Sequence, residues 1–210
     1  RLAAHGIKTG VIQNGVDTTH FKPAASAQIK ALRMTLGLHP DAKIFLTAGN
    51  LIPRKSTDTL VNAFVQANLT GTQLVILGDG PERGTLERLA NPSVYFAGNV
   101  SNVNEYLQCA DAFCSASLSE GLPNTVLEAM ASGLPCLLSD IPPHRELMGE
   151  HAYGYFDIED AATLSKHMQD FYQTGPTDTA RTAVTQFVER DLSAHSMSRK
   201  YQNVYESLLG

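Results

Sequence analysis

The 210-residue sequence predicts an α/β domain: a parallel sheet with helices on both faces, followed by a helical C-terminal extension. Two observations carry that expectation. Short apolar runs alternate with helix-period segments along most of the chain, an order that needs crossover connections and therefore parallel strands. Beyond residue 160 the alternation stops, and three helical stretches follow one another. Composition agrees, since 43% hydrophobic and 18% charged residues suit one sizeable buried core.

In chain order, apolar runs predict strands at residues 10–13, 43–48, 73–77, 94–96, 112–114, 135–138 and 153–156. Helical periodicity between them predicts helices at 26–36, 57–67, 81–90, 103–109, 125–132 and 143–148. Ser56 or Thr57 opens the helix at 57, with Asp58 in its first turn. Helices at 160–172, 178–189 and 194–209 close the chain, and Thr174-Gly175-Pro176 separates the first two. In open parallel sheets ligands bind at the carboxyl ends of the strands. The loops that follow strands are therefore where chemistry is expected.

The most informative loop is Ser119-Glu120-Gly121-Leu122-Pro123-Asn124-Thr125-Val126-Leu127-Glu128, after the strand at 112–114. Gly121 and Pro123 mark a turn, and Pro123 suits a first helical turn, where its lacking N–H has no intrahelical partner. The free amides at such a helix start, with the helix dipole, favour a phosphate. Glu120 would lie beside that anion site, and Glu128 one turn inside on the face of Asn124 and Thr125. An anion site between two carboxylates that accept from hydroxyls suits a ligand with phosphates in the middle and a sugar at each end: a sugar nucleotide. Taken alone, a glutamate near a helix start is as easily a cap or a solvated charge.

A second loop, Gly49-Asn50-Leu51-Ile52-Pro53-Arg54-Lys55, ends a strand in two cations. Lys55 can neutralise a diphosphate as a mobile charge, and Arg54 can grip one through paired N–H groups. Leu77-Gly78-Asp79-Gly80-Pro81 is read as mainly structural, because it lacks the third glycine of a dinucleotide loop. His144 is read as a surface residue or one behind the site.

Other function classes are disfavoured. A net charge of −5 without a Lys/Arg cluster gives no footprint for nucleic acid. No apolar run approaches a membrane span, and no signal peptide opens the chain. Cys109, Cys114 and Cys136 lack metal-ligand spacing and are expected as buried reduced thiols, which points to a reducing, cytoplasmic location. The chain opens at Arg1 without Met, and residues 1–9 are expected to be a helix end and linker in a piece of a longer protein.

These motifs resemble those of the retaining glycosyltransferases of the GT-B fold, family 4. Glu120 and Glu128 match the Glu-x7-Glu signature, extended through Glu-Gly-Leu-Pro and Leu-Glu-Ala-Met-Ala-Ser-Gly-Leu-Pro. Asn14-Gly15-Val16-Asp17, Gly78-Asp79-Gly80-Pro81-Glu82 and Val94-Tyr95-Phe96-Ala97-Gly98-Asn99-Val100 are similar to further family elements. The resemblance covers nearly the whole chain. It implies the Rossmann-like C-terminal, donor-binding domain of a two-domain enzyme, with residues 1–210 as one unit and 194–209 as the terminal helix packing back toward a first domain.

The resemblance also implies roles. Glu120 faces the donor sugar and, with Lys55, forms the catalytic set. Glu128 accepts the ribose hydroxyls, while Asn124, Thr125, Leu122, Gly121, Gly49, Asn50, Arg54, Gly98 and Val100 complete the donor site. Two departures stand out: Asn50 replaces the family's phosphate-binding Arg, with Arg54 the candidate substitute, and Ser56 replaces a Gly. The implied reaction moves a hexosyl group from a UDP- or GDP-sugar to an acceptor hydroxyl with retention, without metal or other cofactor. The implied acceptor is a carbohydrate or lipid-linked molecule in polysaccharide, lipopolysaccharide or glycolipid synthesis, bound by an N-terminal domain outside this sequence. The full enzyme could then sit at the inner face of the cytoplasmic membrane, and the isolated domain would turn over little. Two alternatives stay open: another GT-B enzyme, such as a nucleotide-sugar epimerase, and a non-catalytic nucleotide-binding or interaction domain.

Overall fold

A computed structural model describes residues 10–209, for Leu209 the backbone only; the expectation for residues 1–9 lies outside them. Six parallel strands form one sheet: β1 (Lys43–Ala48), β2 (Thr72–Leu77), β3 (Val94–Gly98), β4 (Ala112–Ser115), β5 (Cys136–Ser139) and β6 (Gly154–Phe156). Their spatial order is β3-β2-β1-β4-β5-β6. The helices are α1 (Ser26–Thr35), α2 (Thr57–Ala67), α3 (Arg83–Leu89), α4 (Val103–Cys109), α5 (Asn124–Ala131), α6 (Pro142–Met148), α7 (Ala161–Thr174), α8 (Asp178–Phe187) and α9 (Ala194–Leu209).

Strand pleating builds the two-sided core, because successive side chains point to opposite faces. On one face Ile44, Leu46, Val75, Leu77, Phe113, Cys136 and Leu138 pack with Leu107 of α4, Leu127 and Met130 of α5, and Val184 of α8. On the other, Phe45, Leu74, Ile76, Cys114 and Leu137 pack with Leu60 and Phe64 of α2, Leu86 of α3, and Met168 and Phe171 of α7. Central strands are apolar on both sides, as helix-covered parallel sheets require.

The expected strand at 10–13 does not form. Val11 stands 93% exposed, and the only pairing nearby among the described residues is a single bridge between Val16 and Ser193. Gly10 and Val11 are exposed and Ile12 and Gln13 only half-buried, so this short run has no core face to pack on, and strand propensity alone does not build a strand. The helix expected from 81 starts at Arg83, since Pro81 and Glu82 form the turn. Ser56 does not cap α2 with its side chain; it holds φ 45° in the left-handed region, and its hydroxyl meets Thr59 Oγ1 at 2.9 Å. That conformation favours glycine, which is the residue it replaces in the resemblance. The helix expected to run to 189 continues past α8 as a π-helical turn, Val188–Leu192.

The three cysteines are buried and free. Burial pushes the Cys109 thiol up to about 12 and raises Cys114 and Cys136 as well, so all three are inert thiols.

Candidate functional site

Strand order reverses between β1 and β4. The chain leaves β1 toward β2 on one side and leaves β4 toward β5 on the other, so the loops after β1 and β4 diverge and leave a crevice. Both carboxyl ends point there, which is where such sheets bind ligands. Gly49, Asn50, Arg54 and Lys55 follow β1, and Glu120, Gly121, Leu122, Asn124, Thr125 and Glu128 follow β4. Gly98 ends β3 and Val100 follows it at the same edge.

The β1 loop closes in a single 3-10 turn, Pro53–Lys55, that turns both cations toward the β4 loop. The N–H of Leu118 donates to the Arg54 carbonyl at 2.9 Å, tying the two loops together. Lys55 Nζ lies 2.6 Å from Glu120 Oε1, and Arg54 Nη1 lies 3.1 Å from Glu120 Oε2. Ser117 Oγ donates to the same Oε1 at 2.7 Å. Burial alone would raise the Glu120 carboxyl, but the bonds from Lys55, Ser117 and Arg54 outweigh it and hold the group below its ordinary value.

Glu128 stands in the opposite electrostatic state. No cation pairs with it among the described residues, and burial raises its pKa above the ordinary carboxylate value. It lines a crevice of about 210 Å³ with Gly49, Asn50, Gly78, Val100 and Thr125. With Asn124 it also borders a depression of about 340 Å³ that reaches Asn14, Asp17, Phe21 and Met197. No side chain among the described residues caps α5; the Asn124 and Val126 N–H groups donate to the Leu122 and Pro123 carbonyls, which leaves the Thr125 N–H as the first-turn amide open to a ligand beside these carboxylates. The Gly98 carbonyl is already used by the Gly78 N–H at 2.7 Å, which leaves Asn99 and Val100 as the residues after β3 that line the crevice. Gly121 is exposed with open space around it, and Leu122 is half-buried. Neither lines the two hollows that Glu128 borders.

Gly78 is read correctly as structural. It sits at φ 116°, and a Cβ there would overlap the Gly49 backbone oxygen. This close approach of the β1 and β2 loops forms the crevice floor.

Of the two readings of His144, at the surface or behind the site, burial excludes the first: it is 0% exposed. Its Nδ1 lies 2.8 Å from the Ser139 carbonyl, which assigns the proton to Nδ1, and burial lowers its pKa. Its Nε2 has no hydrogen-bond partner among the described residues. Ser139 Oγ donates to the Ser117 carbonyl at 2.6 Å, so the β5 end braces the loop that carries Glu120. Sequence reasoning missed Ser117 and Ser139. Ser115-Ala116-Ser117 at a strand end was the available signal, polar positions two apart leaving an apolar strand.

The comparisons with known proteins agree with this architecture. The chain is 36% identical over 143 residues to a lipopolysaccharide core biosynthesis glycosyltransferase, LpsE, of Rhizobium meliloti (strain 1021), covering 65% of this chain and 42% of that protein. It is 31% identical over 139 residues to an alpha-monoglucosyldiacylglycerol synthase of Acholeplasma laidlawii, covering 61% and 35%. The chain thus spans about two fifths of the length of these curated relatives. Among solved structures, a glycosyltransferase from Rickettsia africae ESF-5 superposes with a TM-score of 0.84 at 19% identity, covering 95% of this chain and 57% of that one. Anabaena Alr3699/HepE in complex with UDP and glucose superposes at 0.78 and 20% identity, with the same coverage. The family of glycosyl transferases group 1 matches over residues 42–174, more than half of the sequence and the span that carries the sheet, both cations and both carboxylates. The chain belongs to that glycosyltransferase family.

Proposed function

We propose that the chain is the donor-binding part of a retaining hexosyltransferase and holds a nucleoside diphosphate sugar in the crevice between the β1 and β4 loops. The observation that carries the reading is the pairing of two unlike carboxylates across the start of α5. Glu120 is held ionised by cations, while Glu128 is without one. Glu128 accepts the ribose hydroxyls, Val100 meets the base through its backbone, and Gly49, Asn50, Thr125 and Asn124 border the diphosphate. Gly98, Gly121 and Leu122 shape the surrounding loops. Lys55 and Arg54, with the Thr125 amide at the start of α5, stabilise the negative charge that develops on the departing nucleotide. Arg54 supplies the second positive charge that Asn50 cannot. These groups offset the diphosphate without a metal, and Glu120 orients the hexose rather than attacking it.

The acceptor, a carbohydrate or lipid-linked hydroxyl, is bound by a domain preceding this sequence, and the chain alone transfers little. Lipopolysaccharide and glycolipid synthesis, the roles named for the two curated relatives, and the UDP and glucose complex of HepE support the substrate classes.

The test is the thermal midpoint of the chain with UDP, GDP, ADP and their hexose conjugates, beside Lys55→Ala and Glu128→Ala. A ligand at about 100 times its dissociation constant adds about 2.7 kcal/mol, a rise of roughly 5–10 °C for this size. A rise with one base, lost in both variants, supports the reading. No rise with any of them contradicts it.

A further inference from the structure

Glu120 is occupied before any ligand arrives. Its side chain is 7% exposed, Oε1 accepts from Lys55 and Ser117, and Oε2 accepts from Arg54. An ionised carboxylate offers about four acceptor positions, so the chain's own donors already fill most of them. The cations sit further out, with Lys55 21% and Arg54 47% exposed. A diphosphate in the crevice must therefore draw on the same two cations that keep a nearly closed carboxylate compensated.

No buried donor stands ready to replace them. His144 lies beneath the same loop, but its Nδ1 proton is committed to the Ser139 carbonyl. Ser139 Oγ is committed to the Ser117 carbonyl, and Ser117 Oγ is already on Glu120.

We propose, resting on the donor-site reading above, that Glu120 is a specificity residue that selects against the sugar-free nucleoside diphosphate. When a bare diphosphate pulls Lys55 and Arg54 toward its phosphates, Glu120 is left as a poorly compensated, poorly hydrated charge, and that cost is subtracted from affinity. When the diphosphate carries a hexose, sugar hydroxyls donate to the vacated oxygens and restore the compensation. One carboxylate thereby favours the sugar nucleotide and speeds release of the nucleotide left after transfer. This is distinct from a hydroxyl contact alone, which would strengthen the sugar conjugate and leave the bare nucleotide unaffected.

The two mechanisms differ in sign for the bare ligand. Calorimetric titration of the wild-type chain, Glu120→Gln and Ser117→Ala, each with the nucleoside diphosphate that binds best and with its hexose conjugate, separates them. Glu120→Gln removes the charge and frees both cations. The expected result is bare-diphosphate binding tighter by about three- to fivefold, the scale of a partly exposed ion pair, with weaker binding of the conjugate. Ser117→Ala keeps the charge and removes one donor, so it is expected to weaken the bare diphosphate more than the conjugate. Bare-diphosphate binding that is unchanged or weaker in Glu120→Gln overturns the proposal, as does Ser117→Ala weakening both ligands equally. If Glu120→Gln does not fold, Ser117→Ala decides by the same criterion. A wild-type chain that binds none of the nucleotides overturns the donor-site reading itself, and this inference with it.

Discussion

The two glutamates at the crevice titrate in opposite directions, and each direction gives a stability prediction. Burial raises the folded-state pKa of Glu128 above its unfolded value, so ionised Glu128 costs stability at neutral pH. That cost fades as pH falls toward the unfolded value of 4.5. Glu128→Gln is therefore expected to raise the thermal midpoint of the ligand-free chain at pH 7, with the gap closing near pH 4. The same variant should lose the preference for ribonucleotides over 2′-deoxyribonucleotides, measured by competition binding. Glu120 is depressed, so its contribution is present at neutral pH and lost as pH falls through its folded value. Glu120→Gln is expected to lower the midpoint at pH 7 and to match wild type in acid. Both carboxylates and Lys55 were legible in the sequence, because loops after strands must carry the site. Ser117, Ser139 and the burial of His144 were not. Their contacts join β4 to β5 across residues more than twenty apart, and single-sequence patterns carry no record of such pairings.

Elements are held in place by a few polar anchors. Arg33 of α1 is buried, and its guanidinium donates to the Cys109 carbonyl at 2.9 Å and the Ala42 carbonyl at 2.8 Å. It also reaches Asp111 Oδ2 at 2.8 Å, which in turn accepts from the Ile44 N–H. One side chain thus joins α1, the end of α4 and the starts of β1 and β4. Arg33→Met takes the guanidinium from the two carbonyls and leaves the Asp111 carboxylate without its cation, and it is expected to cost about 3 kcal/mol, a midpoint drop of roughly 6–12 °C in a thermal scan. Gly78→Ala is expected to destabilise by at least about 2 kcal/mol and to weaken nucleotide binding in the same titration, because its Cβ has no room against Gly49. Strands β1, β2, β4 and β5 were legible because apolar runs of four to six residues, largely buried on both faces, are hard to mistake when they alternate with amphipathic helices. The expected strand at 10–13 failed on a tertiary condition. Val16 instead pairs with Ser193, and Gly15 packs so tightly there that a Cβ would lie 2.5 Å from the Ser193 oxygen.

At the scale of the whole molecule, the incoming segment at Val16 and the outgoing segment at Leu192–Ala194 are clasped by two backbone bonds of 2.9 and 2.8 Å. Beyond this clasp α9 presents Tyr201, Val204, Tyr205 and Leu208 at 43–76% exposure, a helical stripe that the described residues leave uncovered. A change confined to the outer part of that stripe, Tyr205→Glu with Leu208→Glu, is expected to leave the chain's thermal midpoint unchanged within about 1 °C, because surface substitutions away from packed contacts are nearly neutral. The fold class was legible at this scale through strand and helix alternation, whereas the strand order that opens the crevice was not, since sequence order does not state which strands are neighbours. The molecule also carries a hollow away from the crevice, of about 380 Å³, lined by Gly133, Leu134, Pro135, His151, Tyr153 and Arg181 at the amino ends of β5 and β6. Hollows on opposite edges of one sheet make location the decisive question. The most direct measurement is amide-resolved NMR of the labelled chain titrated with the best-binding nucleoside diphosphate. The account predicts shifts at Gly49, Lys55, Val100, Thr125 and Glu128, with Gly133, Tyr153 and Arg181 unmoved. Shifts concentrated at Gly133, Tyr153 and Arg181 would contradict it.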